Sequence, residues 1–402
     1  MRISVQAPNS KPFQALSADK TLSNREISSL SRATLQVQDA EVSLVYPHRE
    51  RGGDFTSPSS SQAQLNYLTQ RFVSPTRVGE GSFGQVWRAR DTHLARDVAI
   101  KSFKGDQETA LQACREELRF VGQLDHPSIP TIYDARLNES ESPIIVMKLL
   151  NGQSLKEIID LLKSGDPKIH QDYPFVRRVE IIIQLLKVTR AAHRKGILHR
   201  DIKPENVLLG RDGEFSLIDW GCAVTISEVQ ERSQICGTPA FMAPEQAFGL
   251  KLSEASDLFA ICGVAYELLT LTTPTPDAPN IQEFMKMIAT FEPHRLDQVH
   301  HPAQGYPPSE FAEMIMQGLS RQPADRPQKT DDLIEFLEGA LAGDICVVCP
   351  RTYIKSRYVR LERFLNKNPF VGVPVFVLSL ITFFAFLIGL GIWIGTHMAL
   401  PS

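Results

Sequence analysis

Basic charge is not in surplus in this chain. Its 43 lysines and arginines stand against 46 aspartates and glutamates, a formal net charge of −3 over 402 residues. A domain built to hold nucleic-acid backbones is usually strongly basic, so nucleic acid is not expected as a partner. Cysteine is sparse: six residues, at 114, 222, 236, 262, 346 and 349. Nothing at the N-terminus resembles a secretory leader, which predicts free thiols in a reducing compartment. Cys346 and Cys349 form a lone C-x-x-C, and with no second pair nearby the spacing gives zinc little support. They read as two small apolar residues between a helix and a linker. Internal repeats are lacking too. What the chain does have is 43% hydrophobic and 22% charged residues, enough for one large core plus tails.

Residues 1–68 are rich in Ser, Gln, Asn and Thr, with "SPSSSQAQ" at 57–64 the most biased run. Without a sustained apolar period, this region is expected to be disordered or loosely structured. From residue 72 the pattern changes. "RFVSPTRVGEGSFGQVWRARD" reads as strand, turn and strand. "RDVAIKSF" is a further strand with Val98 and Ile100 on one face and Ala99 and Lys101 on the other. "QETALQACREELRFVGQL" has helical spacing, with Leu111, Cys114, Leu118 and Val121 on one stripe, and "SPIIVMKLL" is another strand. Beyond Asn151 the reading is mainly helical, through "FVRRVEIIIQLLKVTRAAHRKG", "SEASDLFAICGVAYELLT" and "DDLIEFLEGALAG".

The last stretch, 370–400, contains no Asp, Glu, Lys or Arg. About 20 apolar residues span a bilayer as a helix, so 370–398 is expected to cross a membrane once. Residues 342–369 read as a basic juxtamembrane linker, carrying Arg351, Lys355, Arg357, Arg360, Arg363 and Lys367. The positive-inside tendency predicts a C-terminal anchor with the N-terminal bulk in the cytoplasm, and the basic run suits anionic headgroups. Gly391 and Gly395 form G-x-x-x-G, which allows two such helices to approach, so a homodimer is a possible state.

The chemistry lies between these ends. Gly79, Gly81 and Gly84 make G-x-G-x-x-G followed by Val86, and the chain continues as strand where a dinucleotide fold would open a helix. Glycines between two antiparallel strands let backbone approach phosphate closely. Lys101 stands in an apolar strand and needs a carboxylate, which Glu117 supplies, or Glu116 if the register differs. Asp201, in "LHRDIKPENVLL", and Asp219, in "FSLIDWGCAV", are carboxylates in segments that otherwise read as buried.

Glycine loop, "VAIK", helix glutamate, "HRDIKPEN", "DWG" and "APE" occur in that order. The set resembles the serine/threonine branch of the protein kinase family, over roughly residues 72 to 341. The resemblance implies an α+β, bilobal protein kinase fold: a small antiparallel-sheet N-lobe with one helix and a mainly helical C-lobe, to which the C-terminal transmembrane helix would be added. It implies transfer of the γ-phosphate of ATP to Ser/Thr hydroxyls of protein substrates, with Mg2+. Asp201 would accept the hydroxyl proton, Lys203 would steady the γ-phosphate, and Asn206 and Asp219 would hold the metal. Val78, Gly79, Gly81, Gly84, Val86, Ala99, Lys101, Glu117 and Met147 would surround the nucleotide, with Lys148, Leu149 and Leu150 as the hinge.

The resemblance also implies contacts of Thr238 with Asp201 and Lys203, a Glu245–Arg326 ion pair, and Asp257 as a brace for the catalytic loop. Trp220 stands where relatives usually place Phe, packed beneath the glutamate helix, and Cys262 where they usually carry glycine. Arg200 suggests control by a phosphate on Thr225, Ser227 or Ser233, with Ser233 favoured by its distance to Thr238. Two rival readings are a catalytically dead scaffold and a small-molecule kinase. Five intact polar positions argue against the first, and the "GTPAFMAPE" platform against the second.

Overall fold

The computed structural model describes residues 2–3, 71–81, 84–137, 142–211, 213–229, 235–275, 281–290 and 292–344, and a few positions beyond 354. Nearly all of 1–68, Ser233, Cys346, Cys349, Gly391, Gly395 and all of 370–398 except positions 381, 385 and 388 lie outside the described residues. The chain divides into two units, Met1–Leu337 and Glu338–Ser402.

The first unit begins with β1 (Arg2–Ile3), then β2 (Phe72–Glu80), β3 (Gly84–Asp91) and β4 (Arg96–Phe103), followed by helix α1 (Gln107–Val121), β5 (Ile132–Arg136) and β6 (Ile144–Lys148). The five strands from β2 to β6 form one antiparallel sheet in the order β2-β3-β4-β6-β5. Strand alternation divides the side chains between its two faces. Phe72, Ala89, Val98, Ile100, Ile144 and Val146 cluster together, with Trp87 and Tyr133 against them. Phe103 and Ile145 instead pack with Ala110 and Cys114 of α1. Asp106 caps this helix by accepting from the Thr109 amide at 2.8 Å. The buried face of α1 is Ala110, Leu111, Cys114, Glu117 and Phe120. Leu118 and Val121 of the expected stripe are only half-buried, because the face has rotated to bring Glu117 inward.

The second lobe continues with β7 (Gly152–Ser154), α2 (Leu155–Lys163), α3 (Pro167–Asp172), α4 (Phe175–His193), β8 (Ile197–Leu198), β9 (Val207–Gly210), β10 (Phe215–Leu217), β11 (Val224–Thr225) and β12 (Ile235–Cys236). It then runs through α5 (Pro244–Ala247), α6 (Glu254–Thr270), α7 (Ile281–Thr290), α8 (Ala312–Gly318) and α9 (Thr330–Leu341). Three small antiparallel sheets, β10-β9-β7, β11-β8 and β1-β12, accompany the helices. Ser154 and Glu157 close a capping box on α2. Helix α6 is buried from Ala255 to Thr270, with no solvent face, and packs against α4 and α8. Cys262 is accommodated there by Gly318 of α8: a Cβ at 318 would overlap the Cys262 sulfur.

Arg178 of α4 is buried. Its guanidinium donates to the carbonyls of Tyr173 (2.8 Å) and Leu268 (3.3 Å) and to the Gln304 side chain at 2.5 Å. Burial lowers its pKa to about 10. The second unit contains the end of α9 and helical residues 355–359 and 361–362. Among the described residues, no helix is long and apolar enough to cross a membrane.

Candidate active site

Strand β4 presents Lys101 on the sheet face that receives α1, where Lys101 and Glu117 are both buried. Lys101 Nζ donates to both Glu117 oxygens, at 2.8 and 2.6 Å, and to Asp219 Oδ1 at 2.8 Å. Glu117, one turn beyond Cys114 on the buried face, is therefore the lysine's helix partner, and Glu116 instead accepts from Gln112 at 3.1 Å. One ammonium serves two carboxylates. Burial works against the Lys101 charge, but Asp219 and Glu117 outweigh it and raise its pKa. Burial also opposes the Asp219 charge, and Lys101 overcomes it, holding that carboxyl below its usual range. Glu117 is raised, because there burial exceeds the attraction of the shared lysine.

The loop after β8 assembles a second cluster. Asp201 Oδ1 accepts from Thr238 Oγ1 at 2.7 Å, and Oδ2 accepts from Lys203 Nζ at 2.9 Å. Lys203 also donates to Thr238 Oγ1 at 2.7 Å, closing a three-membered ring of contacts. Asn206 Nδ2 donates to the Asp201 carbonyl at 2.8 Å and reaches Oδ2 at 3.3 Å. Its backbone carbonyl accepts from the Ile218 amide at 2.9 Å, which joins this loop to the residue before Asp219.

Asp257 supports this loop from below. Its Oδ2 accepts from the His199 amide at 2.9 Å and His193 Nε2 at 2.8 Å, and its Oδ1 from the Arg200 amide at 2.9 Å. Burial resists that charge, while the His193 hydrogen bond and the backbone donors lower its pKa. The brace falls where it is needed, since Arg200, whose amide it holds, has left-handed backbone, φ 65°; Asp219 is left-handed too, φ 63°. Such conformations cost about 1–3 kcal/mol each in non-glycine residues and need an over-determined setting. Glu245 and Arg326 form a buried bidentate pair, 2.7 and 2.8 Å, and Ser256 Oγ adds a bond to Glu245 at 2.7 Å.

Of the residues expected around a nucleotide, Val86, Ala99, Lys101 and Met147 are brought to one face of the first-lobe sheet. Val86 is registered between Gly79 and Lys101, and Ala99 lies opposite Met147. Gly84 must be glycine, since a Cβ there would overlap the Ser102 carbonyl, whereas a Cβ on Gly79 or Gly81 would meet nothing within 4 Å. Val78, at an irregularity in the β2–β3 ladder, is 53% exposed. Of the hinge, the Lys148 amide is already taken by the Thr131 carbonyl at 2.9 Å, and Leu149 and Leu150 lie outside strand and helix.

Trp220 is fully buried, stacks edgewise on His199 with ring centroids 4.5 Å apart, and donates to the Leu217 carbonyl at 3.2 Å. The short turn it begins, Trp220–Cys222, packs against α1. The expectation of free thiols fails at two positions. Cys222 and Cys236 form a disulfide, with Cα atoms 5.9 Å apart across 14 residues. Sequence spacing gave no hint, because the pairing depends on how the segment after Asp219 folds back. Cys114 and Cys262 are free and buried, and burial pushes both thiols up to about 12. Gln246, also missed in the sequence, donates to the carbonyls of Arg200 (2.6 Å) and Cys236. A side-chain amide bonding two distant carbonyls leaves no pattern in the chain.

The residues fit a magnesium ion. The Asn206 amide nitrogen is committed to Asp201, so its oxygen is the end available to a cation, and Asp219 adds a carboxylate held anionic. Both are hard oxygen donors of the kind Mg2+ takes alongside nucleotide phosphates. Among the described residues, no group of three or more His, Cys, Asp or Glu could hold a metal by itself.

The protein kinase domain family profile matches residues 72–335. PknL, a serine/threonine-protein kinase of Mycobacterium tuberculosis, is 31% identical over 74% of this chain and 73% of its own length. A probable serine/threonine-protein kinase of Streptomyces coelicolor is 31% identical over 66% of this chain, and PknB of Mycolicibacterium smegmatis 28% over 68%. The chain spans only 39% and 44% of the lengths of these last two. With the motifs assembled in space and the profile covering most of the chain, this protein belongs to the protein kinase family, in its serine/threonine branch.

Proposed function

We propose that the chain is a membrane-anchored serine/threonine protein kinase that transfers the γ-phosphate of ATP to Ser/Thr hydroxyls of protein substrates. The observation that carries this reading is the contact ring of Asp201, Lys203 and Thr238 beside the Lys101–Glu117–Asp219 cluster. Asp201 has one oxygen directed at a hydroxyl already, that of Thr238, so a substrate hydroxyl arriving beside it meets an oriented acceptor for its proton. Lys203, 2.9 Å from that carboxylate, places a positive charge where the transferred phosphoryl group gathers negative charge. Lys101 is positioned by Glu117 to hold the α- and β-phosphates. Mg2+, held by Asn206 and Asp219, would neutralise phosphate charge.

The anchoring part of the proposal rests on sequence. Residues 370–398 contain no charged side chain, and a basic run precedes them. Ile381 and Ile388, two turns apart, are 59% and 63% exposed, an apolar pair suited to lipid. The domain would face the cytoplasm, with phosphorylation of the segment between Asp219 and Glu245 as the activating modification.

The test is transfer of labelled γ-phosphate to a generic protein substrate, with Asp201→Ala alongside. Wild type should label Ser or Thr, and the variant should fall by about 10²–10⁴, the usual contribution of a positioned base. Wild type without transfer in any condition overturns the reading. Partition of a reporter fused to 342–402 into carbonate-resistant membranes tests the anchor separately.

A further inference from the structure

We propose that Cys222 and Cys236 are a reversible dithiol–disulfide switch, and that the bridged form is the one that binds peptide substrate. This rests on the reading of the site as one that takes protein substrates. Cys222 lies three residues after Asp219, and Cys236 two before Thr238, so the bridge joins the metal-holding turn to the turn that touches Asp201.

Both ends also converge on Arg200, the residue before Asp201. The Cys222 carbonyl accepts from Arg200 Nε at 2.6 Å. The Cys236 carbonyl accepts from Gln246, whose same nitrogen donates to the Arg200 carbonyl at 2.6 Å. Gly237 sits in this junction at φ 130°, where a Cβ would come within 2.6 Å of Gln246 and 2.7 Å of the Arg200 carbonyl. The cross-link is therefore embedded in the contacts that place the catalytic loop.

The state that goes with the bridge is the assembled one. In the same structure, Lys101 and Glu117 are 2.6 Å apart and Thr238 is 2.7 Å from Asp201. Among its described residues, the segment's other ties are non-covalent: two residues of β11 on β8, two of β12 on β1, the Ile226 amide on the Gly196 carbonyl at 2.8 Å, the Arg119–Glu228 pair at 2.6 Å, and Ile226 and Val229 against the Leu198–Leu252 cluster. A covalent cross-link removes open conformations of such a segment, doing by a bond what a phosphate beside Arg200 does by charge. Cys114 and Cys262, their thiols pushed up to about 12, are too little ionised to compete in exchange. In the reducing compartment of the proposed topology, a bridge of this kind is transient and regulatory.

The chemistry is exchange with a low-molecular-weight disulfide such as oxidised glutathione. One cysteine thiolate attacks a glutathione sulfur, forming a mixed disulfide and expelling one glutathione thiolate. The second cysteine thiolate attacks the protein sulfur of the mixed disulfide, forming the Cys222–Cys236 bond and expelling the other. The protein loses two electrons and two protons, and the two glutathione thiolates receive them. Both sulfurs are buried, so exchange proceeds through opening of the segment.

The full chain is equilibrated in glutathione buffers of graded redox ratio, then denatured in alkylating reagent and digested. Linked Cys222–Cys236 peptide is quantified by mass spectrometry. Affinity for a fluorescent Ser/Thr peptide is measured by anisotropy in the same samples, so the switch is read even without turnover, and ATP KM is followed in parallel. Peptide affinity should weaken about 10-fold or more as the linked peptide disappears, return on reoxidation, and leave ATP KM within about twofold. Cys222→Ser and Cys236→Ser should each show the weak, redox-insensitive affinity. Absence of the linked peptide at every ratio, or its presence with unchanged peptide affinity, overturns the proposal.

Discussion

Lys101 and Asp219 are 118 positions apart in the chain and 2.8 Å apart in space. With Glu117 on its other side, the lysine offsets two buried carboxylates at once. Replacing it by methionine leaves both uncompensated. Lys101→Met should lower stability by about 3–5 kcal/mol, the usual cost of breaking a buried pair, in urea unfolding at neutral pH. Transfer should fall by about 10²-fold or more, since the proposed phosphate clamp goes with it.

The glycines of the first-lobe loop should separate into two classes. Gly84→Ala forces a methyl group into the Ser102 carbonyl and should disrupt the β3–β4 pairing, seen as a lowered melting temperature. Gly79→Ala and Gly81→Ala meet no neighbour within 4 Å and should melt like wild type. Their effect should appear in ATP KM alone, because a Cβ there obstructs only an approaching phosphate.

Asp257 should govern part of the acid limb of stability. Its folded pKa is depressed, so its contribution is complete above the unfolded value, near 3.9, and is lost as pH falls through the folded value. Asp257→Asn should therefore destabilise at pH 7 and unfold with a shallower pH dependence below pH 4. Urea midpoints across that range measure it. Equal slopes for variant and wild type would refute the assignment.

The Glu245–Arg326 pair gives a purely structural prediction. Arg326→Met strands a carboxylate that is almost wholly buried and should cost about 3–5 kcal/mol. The double variant Glu245→Gln/Arg326→Met should recover part of that loss, measured as a double-mutant cycle by chemical denaturation.

Trp220→Phe should keep the ring against His199 and α1 but lose the indole bond to Leu217. A stability loss of about 1–2 kcal/mol follows from one hydrogen bond and a small void. Basal rate and the response to activation should both shift, since the turn that the ring begins follows directly on Asp219.

Much of this was legible in the sequence, for physical reasons. Strand alternation put Lys101 and Ala99 on one face and Val98 and Ile100 on the other, and a lysine in an apolar strand called for a carboxylate partner, Glu117 or Glu116. Ordered motifs identified Asp201, Asn206, Asp219 and Thr238 through resemblance to a family. Contacts that depend on tertiary return of the chain were not legible. The Cys222–Cys236 bridge, the Gln246 junction and the direct Lys101–Asp219 contact carry no periodic signal. The rotation of α1 that favours Phe120 over Val121 follows from packing on the sheet, which spacing alone leaves free by tens of degrees.

Asp257 stands on a helix with no face to solvent, yet its two oxygens hold the backbone of the loop where chemistry would occur. Any repacking that rolls this helix carries the brace with it. Selection for heat tolerance at Leu258, Ile261 or Val264 would therefore also alter turnover, and the two traits should be inherited together.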